Sequence, residues 1–135
     1  MHLIKLADVS HAPTSLTPAV LQVAHMLGLY RAELARILKL QCADVGELAN
    51  AQQLLEVDSI AWQQAEKFIS VFESLHLKFQ GNEALICNWL RKRNTELDGV
   101  PLYLMVDDGL IDNCLSYLKV EEKRGSDSLV VFVKD

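Results

Sequence analysis

Asn88-Trp89-Leu90-Arg91-Lys92-Arg93-Asn94-Thr95-Glu96-Leu97-Asp98-Gly99-Val100-Pro101-Leu102-Tyr103-Leu104-Met105-Val106-Asp107-Asp108-Gly109-Leu110 reads as a punctuated helix–loop–helix. Ile86, Trp89 and Leu90 are spaced to share one helical face. Arg91-Lys92-Arg93 stands where that helix should end, and cations there oppose the negative end of its dipole. Asn94 tolerates a left-handed backbone and is expected to stop the helix. Leu97, the one apolar residue of the loop, is expected to plug it against the core. Gly99 is expected to take backbone angles that other residues avoid. Pro101 suits the first turn of a following short helix, and Asp108-Gly109 marks the next turn.

The spacing resembles the C-terminal domain of the Xre/MbcA/ParS antitoxin family. That family carries Trp-Leu, a short basic or polar run, Asn, then Leu-x-Gly-x-x-Pro-Leu and a Gly before the last long helix. The matching residues here are Trp89, Leu90, Asn94, Leu97, Gly99, Pro101, Leu102, Leu104, Gly109 and Leu115. The fold class expected is all-α, with a helix-turn-helix-like N-terminal domain over 1–80 and a small helical toxin-binding domain over 81–135.

Composition sets bounds on partners. The 135 residues are half apolar, enough for one compact unit or two small helical subdomains sharing a core. No apolar run approaches the roughly eighteen residues of a membrane span, and the N-terminus lacks signal-peptide character, so a cytoplasmic protein is expected. Cys42, Cys87 and Cys114 are odd in number and far apart, which argues against a disulfide framework or a metal site. The net charge of −5 suits a protein partner better than a nucleic acid.

Upstream, Met1 to Val9 reads as a short strand or an arm, and residues 11–15 as a turn. Thr17-Pro18 reads as a helix start, with Thr as N-cap. A helix over 31–38, a tight connection and a helix over 43–55 follow. Their spacing resembles the Xre-type helix-turn-helix, with Ala35 at the close approach and Lys39 where the motif usually has Gly. The expected DNA contacts are Arg31, Arg36, Lys39, Gln41 and Asn50. Against them, the would-be recognition helix carries Asp44 and Glu47 and no Lys or Arg, and acids repel phosphates. Gly46 in its middle costs about 1 kcal/mol relative to Ala. Asp58 or Ser59 then caps a long helix to about Phe79. Its apolar residues fall on two faces, the second bearing Trp62 and Ile69, so it reads as a central core helix; a homodimer is also expected.

Downstream, the last helix is expected to run from Leu110 and end near Gly125. Leu129-Val130-Val131-Phe132-Val133 has strand propensity. A lone strand leaves its backbone groups unpaired. It therefore reads as pairing with residues 2–6, with a second copy or with a partner protein.

No phosphate loop, metal-ligand cluster or nucleophilic triad spacing occurs, so no enzyme and no cofactor are expected. The resemblance implies an antitoxin of a toxin–antitoxin pair. Its partner would be a RES-type toxin, whose family consumes or transfers ADP-ribose from NAD. Trp89, Arg91, Arg93, Leu97, Pro101, Val133, Lys134 and Asp135 are the toxin-binding residues it implies, with operator DNA as a second partner. The alternatives are a DNA-binding regulator without a toxin, or a helical interaction domain with a vestigial helix-turn-helix.

Overall fold

Among the described residues eight helices follow in order: α1 (Leu6–Val9), α2 (Pro13–Met26), α3 (Arg31–Leu38), α4 (Cys42–Ala49), α5 (Ile60–Lys78), α6 (Glu83–Arg91), α7 (Pro101–Val106) and α8 (Ile111–Lys134). The computed structural model describes residues 3–9 and 12–134, with 124–134 described as backbone only. The fold is all-α; among the described residues there is no strand, only an isolated bridge between Asn94 and Gly99.

α5 is the axis. The Ser59 hydroxyl accepts from the Trp62 N–H at 3.1 Å and starts it as a side-chain cap. Phe68, Ile69, Val71, Phe72 and Leu75 are wholly buried, and Trp62 is 4% exposed. Both apolar faces of the helix are therefore covered within the chain, by α2 and α3 on one side and α8 on the other. α5 and α8 run in the same direction, because Lys67 pairs with Asp112 near one end and Lys78 with Glu121 near the other.

Two buried polar contacts tie the N-terminal helices to this axis. Gln64 of α5 donates through Nε2 to the Ile37 carbonyl at 3.0 Å, satisfying one of the orphan carbonyls at the end of α3. The Leu55 N–H donates to the Thr17 hydroxyl of α2 at 3.0 Å. α3 and α4 are joined by a tight connection in which Lys39 takes the left-handed conformation (φ 60°, ψ 41°) that closes α3.

Several expectations are corrected. α2 begins at Pro13, not Thr17, and Pro18 lies inside it. Thr17 is not a cap because its hydroxyl serves Leu55, far away in sequence. α4 ends at Ala49 rather than at Leu55. Ala51 is left-handed (φ 59°), and the Gln52 N–H reaches back to the Glu47 carbonyl, which closes the helix. Residues 6–9 form the short α1, not a strand; its Leu6 N–H donates to Glu73 of α5 at 3.0 Å.

The largest correction is at the tail. α8 does not end near Gly125, and residues 129–133 are helical, so the expected terminal strand is absent. Val-rich sequence favours a strand only where a ladder exists. Extending a running helix gains one backbone hydrogen bond for each residue fixed, whereas an unpartnered strand gains none. The α8 backbone continues past the level of Glu121 and Lys78 by about 20 Å at 1.5 Å per residue. Asp135 lies outside the described residues.

Thr17→Val keeps shape but leaves the buried Leu55 N–H unpaired. It should lower unfolding free energy by about 1–3 kcal/mol, with an unchanged urea m-value. A change within about 0.5 kcal/mol, the range of ordinary surface substitutions, would contradict the role given to this contact.

Candidate protein-docking surface

α6 starts at Asn82, whose side chain accepts from the Leu85 N–H at 3.2 Å. Ile86 and Leu90 face inward and are buried, while Trp89 beside them is half-buried. The Trp89 indole stacks on the Tyr117 ring of α8, with centroids 6.4 Å apart and planes at 20°. Burial first, then the neighbouring acids Glu121 and Glu96, push the Tyr117 pKa up, against a hydrogen bond from Asn94.

The loop between α6 and α7 is self-braced. Asn94 and Gly99 exchange backbone hydrogen bonds of 2.8 and 3.2 Å. The Asn94 side chain accepts from the N–H groups of Glu96 and Leu97 at 2.9 and 3.0 Å, an Asx turn. Arg93 pairs with Asp98 across the loop. Asn94 itself is not left-handed; Asp98 is, at φ 55°. Gly99 needs no unusual angle either. A Cβ there would stand 2.9 Å from the Leu104 side chain, so its requirement is space. Leu97 packs half-buried against the core as expected. Pro101 opens α7, is buried, and its carbonyl lies 3.8 Å from the Cys114 sulfur.

Beside this loop lies a shallow groove of about 210 Å³. Phe79, Leu85 and Trp89 supply its apolar wall, and Asn88, Lys92 and Arg93 its polar rim. Leu85 and nearby Leu77 are large exposed apolar residues. Lys78 leans over the Phe79 ring, 5.6 Å from its centroid. An apolar floor with a cationic rim on an acidic protein suits a protein segment carrying an apolar side chain next to an acid.

The expected toxin-binding residues separate accordingly. Trp89 and Arg93 share the groove. Arg91 points elsewhere: it donates to the Gly28 carbonyl at 2.9 Å and pairs with Glu33 at 3.2 Å, tying α6 to the start of α3. That Glu33 hydrogen bond pushes the guanidinium pKa further up. Leu97 and Pro101 hold the loop. Val133 and Lys134 lie at the end of α8. Phe79, Leu85, Lys92 and Tyr117 were not foreseen. Leu85 stands one helical turn before Trp89, which was the available signal.

The residues expected to touch DNA are engaged one by one. Arg36 pairs with Asp107 of the loop after α7 at 2.9 Å. The exposed Arg31 side chain reaches over Gly46, where a Cβ would come within 3.3 Å of its guanidinium. Lys39 forms the turn, and Gln41 and Asn50 cap the two ends of α4. Asp44 accepts from the Gln41 N–H at 3.0 Å, which gives that acid a capping role. The outward face of α4 presents Ala43, Glu47 and Asn50, without a cation. Among the described residues no group of three metal-ligating side chains converges, and no helix is long and apolar enough to cross a membrane.

No protein-family model and no curated protein matches the chain.

The α7–α8 packing can be tested through its thiol. Cys114 is wholly buried, and burial pushes its pKa up to about 11, while Cys42 is exposed. A thiol reagent at pH 8 should modify Cys42 at once and Cys114 only on unfolding. The folded pKa of Cys114 is raised, so its stabilising effect is present below the unfolded value near 9 and is lost as pH rises towards 11. Between pH 9 and 11 the wild type should lose stability faster than Cys114→Ala. Equal slopes would contradict the buried thiol.

Proposed function

We propose that the chain is an antitoxin that binds and blocks a RES-type NAD-consuming toxin. The observation that carries this reading is the structural coherence of the family-like positions. Trp89, Asn94, Leu97, Gly99, Pro101 and Leu104 form one braced unit, each with a definite role in the turn from α6 into α7. The unit follows a helix-turn-helix-like pair, α3 and α4, in the order the family resemblance implies. Its groove joins apolar Phe79, Leu85 and Trp89 to Lys92 and Arg93, a lining that fits a partner segment with an apolar and an acidic side chain.

The mechanism is steric. The α6–α7 unit docks against the toxin, and the end of α8 fills the mouth of its cleft and keeps NAD out. A helical tail extending past the core has the reach for this, and it arrives as a helix rather than a strand. Val133 and Lys134 are the blocking residues of this reading, with Asp135 beyond them.

A second reading is a helix-turn-helix regulator acting on operator DNA. It draws on the left-handed Lys39 turn and the buried Ala35 at the helix approach. The cation-free outer face of α4 weighs against it, since phosphate contacts supply most of non-specific affinity.

The test is co-purification with a RES-type protein and measurement of NAD loss. The full chain should form a complex and suppress NAD loss, and deletion of residues 129–135 should abolish suppression. Suppression that survives the deletion would remove the blocking role from the tail and leave it with the α6–α7 unit. Failure to form any complex, with salt-sensitive binding to duplex DNA instead, would overturn the antitoxin reading in favour of the regulator.

A further inference from the structure

The groove beside Trp89 is charged against the grain of the molecule. Its lining holds Lys92 and Arg93 and no acid, on a chain of net charge −5. Phe79, Leu85 and Trp89 leave a volume of about 210 Å³ between them, room for a large apolar side chain. A carboxylate beside that side chain is the complement of such a rim.

The three consecutive cations where α6 ends are held differently. Arg91 is clamped by Glu33, whose side chain is only 13% exposed, and by the Gly28 carbonyl, so it serves the fold. Lys92 is exposed at the groove. Arg93 pairs across the loop with Asp98, and both side chains stand mostly in solvent, 63 and 87% exposed. An ion pair this exposed is weak and exchanges readily. Asp98 is not part of the groove lining, and its backbone is left-handed, φ 55°. Asn or Gly would suit that backbone equally well. What the carboxylate adds is its charge, placed on Arg93.

We propose that Asp98 is a built-in competitor for the acid of a partner segment. The groove takes a protein segment that carries a bulky apolar side chain next to a carboxylate. That carboxylate meets Lys92 and Arg93, and Asp98 gives up Arg93 to it. This rests on the groove as the docking surface of the reading above. An acid alone gains little, because it exchanges one exposed pair for another of similar strength. An apolar side chain seated against Trp89 supplies the difference and holds its neighbouring acid at high local concentration beside Arg93. A segment with an apolar side chain flanked by cations is repelled by Lys92. Asp98 thus makes the groove select the two groups together.

The test is a titration of the full ¹⁵N-labelled chain with two capped pentapeptides, one with leucine between two glutamates and one with leucine between two lysines. The glutamate peptide should shift the Trp89 indole and Leu85 amide signals, less so at high salt, with the buried Trp62 indole as an unmoved reference. The lysine peptide should leave them in place. Asp98→Asn keeps a residue that tolerates the left-handed backbone and should tighten the glutamate peptide about two- to fivefold, the worth of one exposed ion pair. Lys92→Glu should weaken it by on the order of tenfold. Both positions are exposed, so melting of both variants should match the wild type. No shift with the glutamate peptide, equal shifts with both peptides, or an unchanged affinity in Asp98→Asn overturns the proposal. The toxin reading is judged apart from it. A chain that behaves as predicted towards the peptides and binds no RES-type protein keeps the role of Asp98 and loses the toxin. A RES-type complex equally tight in the wild type, Asp98→Asn and Lys92→Glu keeps the toxin and overturns the role of Asp98.

Discussion

Burial of α5 is the constraint on which the other elements depend. A helix apolar around most of its circumference is stable only when wrapped. Phe68, Ile69, Val71, Phe72 and Leu75 have no exposed surface at all. α2 and α3 cover one side and α8 the other, and the remaining helices are placed by what they can reach from there. Polar groups set the register of this wrapping. Gln64 closes the end of α3, and Lys67 and Lys78 meet α8 through Asp112 and Glu121. The apolar contacts supply the drive, and these directional contacts choose one arrangement among several of similar burial.

What could be read in advance was what is encoded locally. The extent of α3, the Ser59 cap and the opening of α7 at Pro101 all follow from a few consecutive residues. What could not be read depends on partners distant in sequence. Thr17 looks like a cap, yet its hydroxyl is required by Leu55. Arg91 looks like a surface cation, yet it clamps Glu33 and the Gly28 carbonyl. The Val-rich tail has strand propensity, and propensity yields to context when a helix is already running into it. The groove was half visible: Trp89 and Arg93 stood out, while Phe79 arrives from the end of α5 and the Tyr117 ring that stacks on Trp89 comes from α8.

Two surfaces of the molecule differ in character. At one, Arg36 of α3 pairs with Asp107 and the outer face of α4 lacks cations. At the other, a braced loop, an aromatic pair and a cation-rimmed groove adjoin the long helix α8. Arg91 and Arg36 link them, from α6 to the start of α3 and from α3 to the loop after α7.

The most direct test of the central claim, that the Trp89 groove and α8 form the docking surface, is amide hydrogen exchange with and without a RES-type protein. The account predicts added protection in residues 79–94 and 124–134, with α4 unchanged. Protection confined to α4, appearing on addition of duplex DNA and not of the protein, would contradict it.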